Sequence, residues 1–135
     1  MVGIAVAEQQ TVASLTVADE REIMGINTRV DLAYAETQMR RQICEAHMLS
    51  GVTIVDPATT VIDADVSIGQ DTVIAPQTHL LGQSRIGAGC QLGPHAVIQD
   101  STLGDGVQVE PFCLLRTQVV SAHTTVAAFS NLSTT

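Results

Sequence analysis

The sequence predicts a mainly β protein in which a parallel β-helix follows a single α-helix. From residue 62 onward an aliphatic residue recurs at every sixth position. This period fits neither the alternation of a flat strand nor the 3.6-residue turn of a helix. Upstream, residues 28–50 combine helical spacing of apolar residues with typical helix ends. Repeats of this kind stack into a solenoid, because no single repeat can bury its apolar face alone.

The six-residue period predicts three flat walls. A short strand that turns a corner every six residues directs one aliphatic side chain inward, and three such strands complete one coil. One residue is missing from the pattern just before Leu103. Stacked coils align the aliphatic residues in three sets: Ile62, Leu80, Ile98 and Leu115 on the first wall; Ile68, Ile86 and Leu103 on the second; Ile74, Leu92 and Val109 on the third.

A small or β-branched residue follows each aliphatic residue by four positions and is predicted to point inward as well. These followers are Val66, Thr72, Thr78, Ser84, Cys90, Ala96 and Thr102, and then Val107, Cys113 and Val119. Glycine often comes directly after the aliphatic residue, as at Gly87. Glycine is favoured there because the corners need a tight backbone.

Residues 28–50 are predicted to form a helix that ends at Gly51. Thr28 and Asp31 have the spacing of a capping box, and glycine is the usual residue just past a helix C-terminus. One apolar stripe is predicted to be the packing face of this helix: Leu32, Ala35, Met39, Ile43 and Ala46.

Charge and composition exclude several classes of partner. The net charge is −8, and the six basic residues, all arginine, form no cluster. We therefore expect neither nucleic acid nor an anionic membrane as a partner. No apolar stretch is long enough to span a bilayer, and the N-terminus does not resemble a signal peptide. Three irregularly spaced cysteines favour a reducing compartment, so we predict a cytoplasmic location.

The order of motifs along the chain resembles one enzyme family. The motifs are EIMGINTRVDLA at residues 22–33, RRQ at 40–42, GVTIVDPA at 51–58, and then the hexads. In this order they are similar to the bifunctional N-acetylglucosamine-1-phosphate uridyltransferase and glucosamine-1-phosphate acetyltransferase, which makes UDP-N-acetylglucosamine for cell-wall precursors. The resemblance is to a middle portion of that enzyme, so we expect a fragment or truncated homologue.

The resemblance implies three regions in the chain. Residues 1–27, which include an alternating strand at 11–17, would be the remnant of the uridyltransferase-like α/β domain. Residues 28–51 would be the linker helix, and residues 52–135 the first coils of a left-handed acetyltransferase β-helix. The family's β-helix implies a homotrimer. In the family, sugar phosphate and nucleotide sugar are bound, and Mg²⁺ and acetyl-CoA are the cofactors.

Two residues match functional positions of the family. Asn27 stands where the family has an asparagine that helps to hold Mg²⁺, although for this chain alone we favour the interpretation that Asn27 is simply a helix cap. Arg116 ends the segment PFCLLR at residues 111–116 and matches an arginine that binds the sugar phosphate; the alternative is a solvated corner residue. The family's Pro-Gly after this arginine is Thr117-Gln118 here, and its later lysine falls at residues 133–135.

The rest of the family's catalytic machinery has no counterpart in this sequence. A glycine-rich nucleotide loop, the catalytic histidine and the acetyl-CoA-binding coils are not found among the 135 residues. We therefore expect no catalytic and no cofactor-binding residue. Although the family is enzymatic, this chain alone is predicted to be inactive.

Two other functions compete with this interpretation. The chain could be a non-catalytic trimerisation module, which is compatible with the family resemblance. It could also be another hexapeptide-repeat acyltransferase or a carbonic anhydrase with a zinc site. His79, His95 and His123 are separated by 16 and 28 residues, whereas two of the carbonic anhydrase's histidines are five apart. The spacing argues against the three converging ligands that a catalytic zinc needs.

Overall fold

The computed structural model describes residues 27–134, which contain one α-helix followed by short strands. Helix α1 is Arg29–Leu49, and a one-turn 3-10 helix covers Pro57–Thr59. The strands are β1 Thr53–Ile54, β2 Val61–Ile62, β3 Ser67–Ile68, β4 Val73–Ile74, β5 His79–Leu81, β6 Arg85–Ile86, β7 Gln91–Leu92, β8 Val97–Gln99, β9 Thr102–Leu103, β10 Gln108–Val109, β11 Leu114–Arg116, β12 Val119–Val120, β13 Thr125–Val126 and β14 Asn131–Ser133. Arg40–Thr135 form one compact unit. Within residues 27–134 no helix is long and apolar enough to cross a membrane.

The strands form three parallel sheets, one for each predicted wall. The first wall is β2, β5, β8, β11 and β14, the second is β3, β6, β9 and β12, and the third is β1, β4, β7, β10 and β13. Each strand pairs in parallel with the equivalent strand one coil away. The predicted β-helix and the preceding helix are confirmed. The predicted α/β remnant lies outside the described residues, and the domain boundaries at 27 and 51 stay predictions.

The interior contains the three predicted aliphatic sets in register. On the first wall Ile62 pairs with Leu80 and Leu80 with Ile98, and all three side chains are buried. The structure extends the sets with Ile54 and Val126 on the third wall and Val120 on the second. Burial of this aliphatic surface is the main driving force for stacking, at roughly 25 cal/mol per Å² removed from water.

Two of the predicted inward followers are wrong. Thr102 is exposed and Val119 is 85% exposed. Ser101 is buried instead, and the pairing of Thr102 with Val119 puts Gln118 above it in the next coil. The aliphatic residues around this corner are five positions apart, so the follower moves one position earlier. The corner is shortened in two successive coils, and the sequence pattern indicated only the first.

The buried hydroxyl groups of the followers all reach backbone carbonyls. Thr72 Oγ1 donates to the carbonyl of Gly87 at 2.8 Å. The hydroxyls of Thr78 and Ser84 donate to carbonyls three residues before them, at 2.8 and 2.9 Å. Because an unpaired buried polar group costs about 1–3 kcal/mol, these bonds make small hydroxyl residues suitable for the inner corners.

The corner between the second and third walls leaves no room for a side chain at three positions. A Cβ atom placed on Gly69, Gly87 or Gly104 would lie 2.6–2.7 Å from a backbone nitrogen of the coil above. Contacts this short force the backbone to move. The glycines after the aliphatic residues at this corner are therefore required by the close approach of successive coils.

Both ends of helix α1 have the predicted capping residues. Thr28 Oγ1 accepts a hydrogen bond from the Asp31 amide at 3.1 Å, and the Asp31 carboxylate accepts one from the Asn27 amide at 3.1 Å. At the other end Gly51 has a φ of 104°. The amides of Gly51 and Val52 donate to the carbonyls of Met48 and His47, which is the Schellman arrangement.

The predicted packing face of the helix is right at Ile43 and wrong at Leu32, Met39 and Ala46. Leu32 and Met39 are 39% and 47% exposed, and Ala46 is also exposed. Cys44, which is off the predicted stripe, is the buried side chain of α1, and Ile43 packs against the core beside it. Ile43 belongs to the predicted stripe, and both it and Cys44 lie in the C-terminal half of the helix, within the unit Arg40–Thr135.

Candidate functional site

Arg116 lies at the end of β11 on the outer surface of the first wall. Leu115, its neighbour in the strand, is buried in the interior, so the alternation of a strand directs Arg116 outward. Arg116 is exposed, and its partners in the adjacent coils are Gln99 and Ser133. The guanidinium group is therefore accessible to an anion from solvent.

The surroundings of Arg116 provide one positive charge and neutral hydrogen-bonding groups. Arg116 is the only Asp, Glu, Lys or Arg between residues 111 and 135. Gln118 Nε2 donates to the Arg116 carbonyl at 2.9 Å and to Thr134 Oγ1 at 2.8 Å. Ser133, directly above Arg116, is one of the positions where the resemblance implies a lysine. A phosphate here would meet one guanidinium, which can donate two hydrogen bonds, and no second cation from the described residues.

Asn27 does not occupy the N-cap position of helix α1. The capping residue is Thr28, and Asn27 precedes it with its backbone amide bonded to Asp31. Interpretation of Asn27 as the cap itself is therefore wrong. The Asn27 side chain is exposed, and its Mg²⁺ role stays a prediction of the resemblance.

The three histidines near the coils occupy one strand and two corners. His79 is on β5 of the first wall, whereas His95 and His123 are at corners, with φ of 58° and 63°. Across residues 27–134 no group of three or more His, Cys, Asp or Glu residues is placed to hold a metal ion.

An exposed column of aromatic rings was not predicted from the sequence. His95 and Phe112 stack with ring centroids 4.8 Å apart, and Phe112 and Phe129 stack at 5.3 Å, with the rings within 6° of parallel. The three residues occupy the same corner, before the first wall, in successive coils. We call them the aromatic column. Their spacing of 17 residues, the length of the upper coils, was the signal in the sequence.

The outer surface of the first wall is more apolar than that of the other two. We call its residues Val61, His79, Val97 and Leu114, all half-buried, the first-wall face; the fifth equivalent position, in the last coil, is the exposed Asn131. The equivalent positions on the second wall are Ser67, Arg85, Thr102 and Val119, all exposed. Those on the third wall are Thr53, Val73, Gln91, Gln108 and Thr125.

The three cysteines are buried and unpaired. Cys90 and Cys113 point inward as predicted, with sulfur atoms 3.2 and 3.1 Å from the carbonyl oxygens of Gly104 and Ala127. Burial raises the pKa of the Cys44 thiol, and the positive charge of Arg40 opposes this only in part. The Cys44 thiol stays protonated because desolvation has the larger effect.

We expect the folded chain to resist thiol reagents. All three cysteines are at most 2% exposed, so a reagent cannot reach their sulfur atoms unless the fold opens locally. Titration with a chromogenic disulfide at neutral pH should detect no fast-reacting thiol in the native protein and three in denaturant. A thiol that reacts at the denatured rate under native conditions would contradict the burial of these side chains.

The repeat region matches a known family model. Residues 65–100 match the model described as bacterial transferase hexapeptide (six repeats). These residues run from the corner before β3 to the end of β8 and include parts of all three walls. A solved perosamine N-acetyltransferase from Caulobacter crescentus aligns with 70% of this chain and 59% of its own, at 14% identity and a TM-score of 0.25; a score this low supports no further comparison.

Curated relatives with higher identity share one name. Bifunctional protein GlmU of Caldanaerobacter subterraneus is 54% identical over 93 residues, which are 69% of this chain and 20% of that protein. The GlmU proteins of Mycobacterium bovis and Mycolicibacterium gilvum are 46% and 48% identical over 81% and 73% of this chain, and 22% and 20% of their own lengths. The chain thus spans about a fifth of the length of the relatives it matches.

Proposed function

Because the chain belongs, over the part that matches, to the family of the bifunctional GlmU proteins, we propose that it is a β-helical scaffold of the acetyltransferase type that assembles as a homotrimer. By itself it neither acetylates glucosamine-1-phosphate nor uridylates N-acetylglucosamine-1-phosphate. The observation that supports this most strongly is the pairing of Arg116 with Ser133, which leaves the one candidate phosphate contact without a second cation.

Arg116 is the residue we propose for sugar-phosphate binding. It is exposed on the first wall, and Gln99, Gln118 and Thr134 around it are neutral. A single exposed guanidinium offers a bidentate contact, but solvent and salt screen its charge. We therefore propose that the chain alone holds a sugar phosphate weakly and positions no acetyl donor beside it.

The cofactors of the family do not fit the described residues as complete sites. Mg²⁺ is usually bound by one or two carboxylates together with substrate phosphates. The Asn27 side chain offers one neutral amide oxygen. The carboxylate beside it, Asp31, accepts a hydrogen bond from the Asn27 backbone N–H. We propose that Mg²⁺ and acetyl-CoA sites, where the family has them, depend on residues other than those described. The free buried thiols support a reducing, cytoplasmic location.

We expect no product in either enzyme assay of the isolated chain. Purified protein would be incubated with acetyl-CoA and glucosamine-1-phosphate, and separately with UTP, Mg²⁺ and N-acetylglucosamine-1-phosphate. Product formation should equal that of a blank without protein, because a general base and an acyl-donor site are needed for turnover. The Mycobacterium bovis GlmU protein assayed in parallel is the positive control.

Two results of these assays would contradict the proposal. Turnover above the blank that falls when Arg116 is replaced by alanine would contradict the proposal, since it would show a working site around that residue. Turnover that Arg116→Ala leaves unchanged would contradict the role of Arg116 and the proposed inactivity together.

A further inference from the structure

We infer that Gln118 is a positioning residue for the anion contact at Arg116, because its side-chain amide joins the end of β11 to the segment in the coil above. This inference rests on the proposed binding of sugar phosphate at Arg116 and adds the residue that keeps the groups of that site in place. Gln118 stands where the resemblance implies the glycine of a Pro-Gly pair, so the resemblance gives this position no side chain and no role.

The side-chain amide of Gln118 bridges two segments of the chain. Its Nε2 donates to the Arg116 carbonyl at 2.9 Å and to Thr134 Oγ1 at 2.8 Å, which uses both N–H groups of the amide. The Arg116 carbonyl also accepts a hydrogen bond from the Thr134 backbone N–H at 3.2 Å. The three residues therefore form a closed ring of hydrogen bonds, and this ring fixes Thr134 relative to the end of β11.

The backbone of Gln118 is held separately, by the shortened corner. Its N–H donates to Ser101 Oγ at 3.0 Å, and its carbonyl accepts a hydrogen bond from the Thr102 N–H at 2.8 Å. Ser101 is buried and Gln118 is half-buried. The side chain of Gln118 therefore extends from a fixed point, and a substitution that removes only its amide leaves the hydrogen bonds of the corner in place.

The backbone between Arg116 and Gln118 shows that this arrangement belongs to the corner of this chain. Thr117 has a φ of 54°, whereas the ring of proline restricts φ to about −65°. The Pro-Gly pair that the resemblance implies after the arginine could not adopt this corner. The bridge made by Gln118 therefore accompanies a change in the path of the backbone next to Arg116.

The groups that a phosphate would meet lie on both sides of the ring of hydrogen bonds. Arg116 provides the guanidinium, and Ser133, its partner in the coil above, and Thr134 provide exposed neutral hydroxyls. An anion that contacts the guanidinium and a hydroxyl together binds more tightly when these groups are already ordered, because less conformational entropy is lost on binding. Since the described residues offer no second cation here, this ordering is the contribution of Gln118.

The test titrates the full chain with glucosamine-1-phosphate. The phosphorus NMR signal of the ligand measures binding, and the Nε–H signal of Arg116, identified by its loss in Arg116→Ala, reports on the contact itself. Gln118→Met removes the amide with little change in side-chain volume. The matched control is Gln108→Met, since Gln108 is exposed on the third wall between Gln91 and Thr125. Urea unfolding measures the stability of each variant separately.

We expect Gln118→Met to weaken binding by about threefold to tenfold, which is the effect of ordering one or two side chains on binding. It should also reduce the ligand-induced shift of the Arg116 signal at a given concentration, whereas Gln108→Met should match the unaltered chain. If Gln118→Met lowers only the urea midpoint and binds the ligand as the unaltered chain does, Gln118 has a structural role alone and the inference is wrong.

Failure of the proposed contact has a different result. If the unaltered chain shows no binding, or if Arg116→Ala binds as well as the unaltered chain, the proposed sugar-phosphate contact at Arg116 is wrong, and the role of Gln118 is wrong with it. If Arg116→Ala abolishes binding and both glutamine variants bind as the unaltered chain does, the contact stands and only the role of Gln118 is contradicted.

Discussion

Replacement of Leu80 by alanine is expected to lower the free energy of unfolding by about 3 kcal/mol, within the range known for buried Leu→Ala changes. Leu80 is completely buried and lies between Ile62 and Ile98 in the first-wall stack. Its removal leaves a cavity bordered by three coils. Because a whole domain is stable by only about 5–15 kcal/mol, the loss should be plain in urea unfolding followed by circular dichroism.

Leu132→Ala is the matched control for this experiment. Leu132 belongs to the same stack, paired with Leu115, but it is 42% exposed, so its truncation should cost less than about 1 kcal/mol. Both variants must be compared at one protein concentration, since association adds to apparent stability. Equal costs for the two variants would contradict the stacked interior.

Replacement of Gly87 by alanine is expected to cost about 3 kcal/mol as well, by overpacking rather than by a cavity. The added Cβ would lie 2.7 Å from the backbone nitrogen of Asp105 and 2.7 Å from the carbonyl carbon of Gly104. Neither atom can rotate away as a flexible side chain could, so the coil above must shift. The measurement is again the urea midpoint of unfolding.

Gly89→Ala separates steric overlap from the general loss of a glycine. No atom lies within 4 Å of a Cβ built on Gly89, and its φ is 67°. Alanine there meets only the cost of a left-handed backbone, about 1 kcal/mol. If Gly87→Ala were no more destabilising than Gly89→Ala, the narrow corner between the second and third walls would not be the reason for its glycines.

The walls could be predicted from the sequence because their period is strict. An inward aliphatic residue at every sixth position determines which residues share a wall, and the strand register follows from it: Leu80 lies above Ile62 and below Ile98. Because the coil is tightly packed, a shift of the strand register would be costly. The assignment of residues to walls is therefore unambiguous wherever the six-residue period is regular. The same regularity supported the family resemblance, which the GlmU relatives confirm.

The details that could not be predicted depend on contacts between segments. The second shortened corner was hidden because Val119 is as apolar as an inward residue, although it is exposed. The buried side of the helix, at Cys44, depends on where its last turns meet the coils, and amphipathic spacing within the helix contains no such information. The aromatic column forms because residues 17 apart stack only once the coil length is known.

The candidate site also has one part that could be predicted from the sequence and one part that could not. Arg116 could be named from the sequence by its motif, and its outward direction follows from the alternation around Leu115. That Ser133 lies directly above it depends on the length of the last coil. Substrate binding at Arg116 stays a prediction.

The central claim is that this chain is a self-associating β-helical scaffold, and its molar mass in solution tests that claim most directly. Light scattering on the eluting peak of the full chain, at micromolar concentration, should give three times the chain mass of 14.2 kDa. A peak with the mass of a single chain would contradict the account.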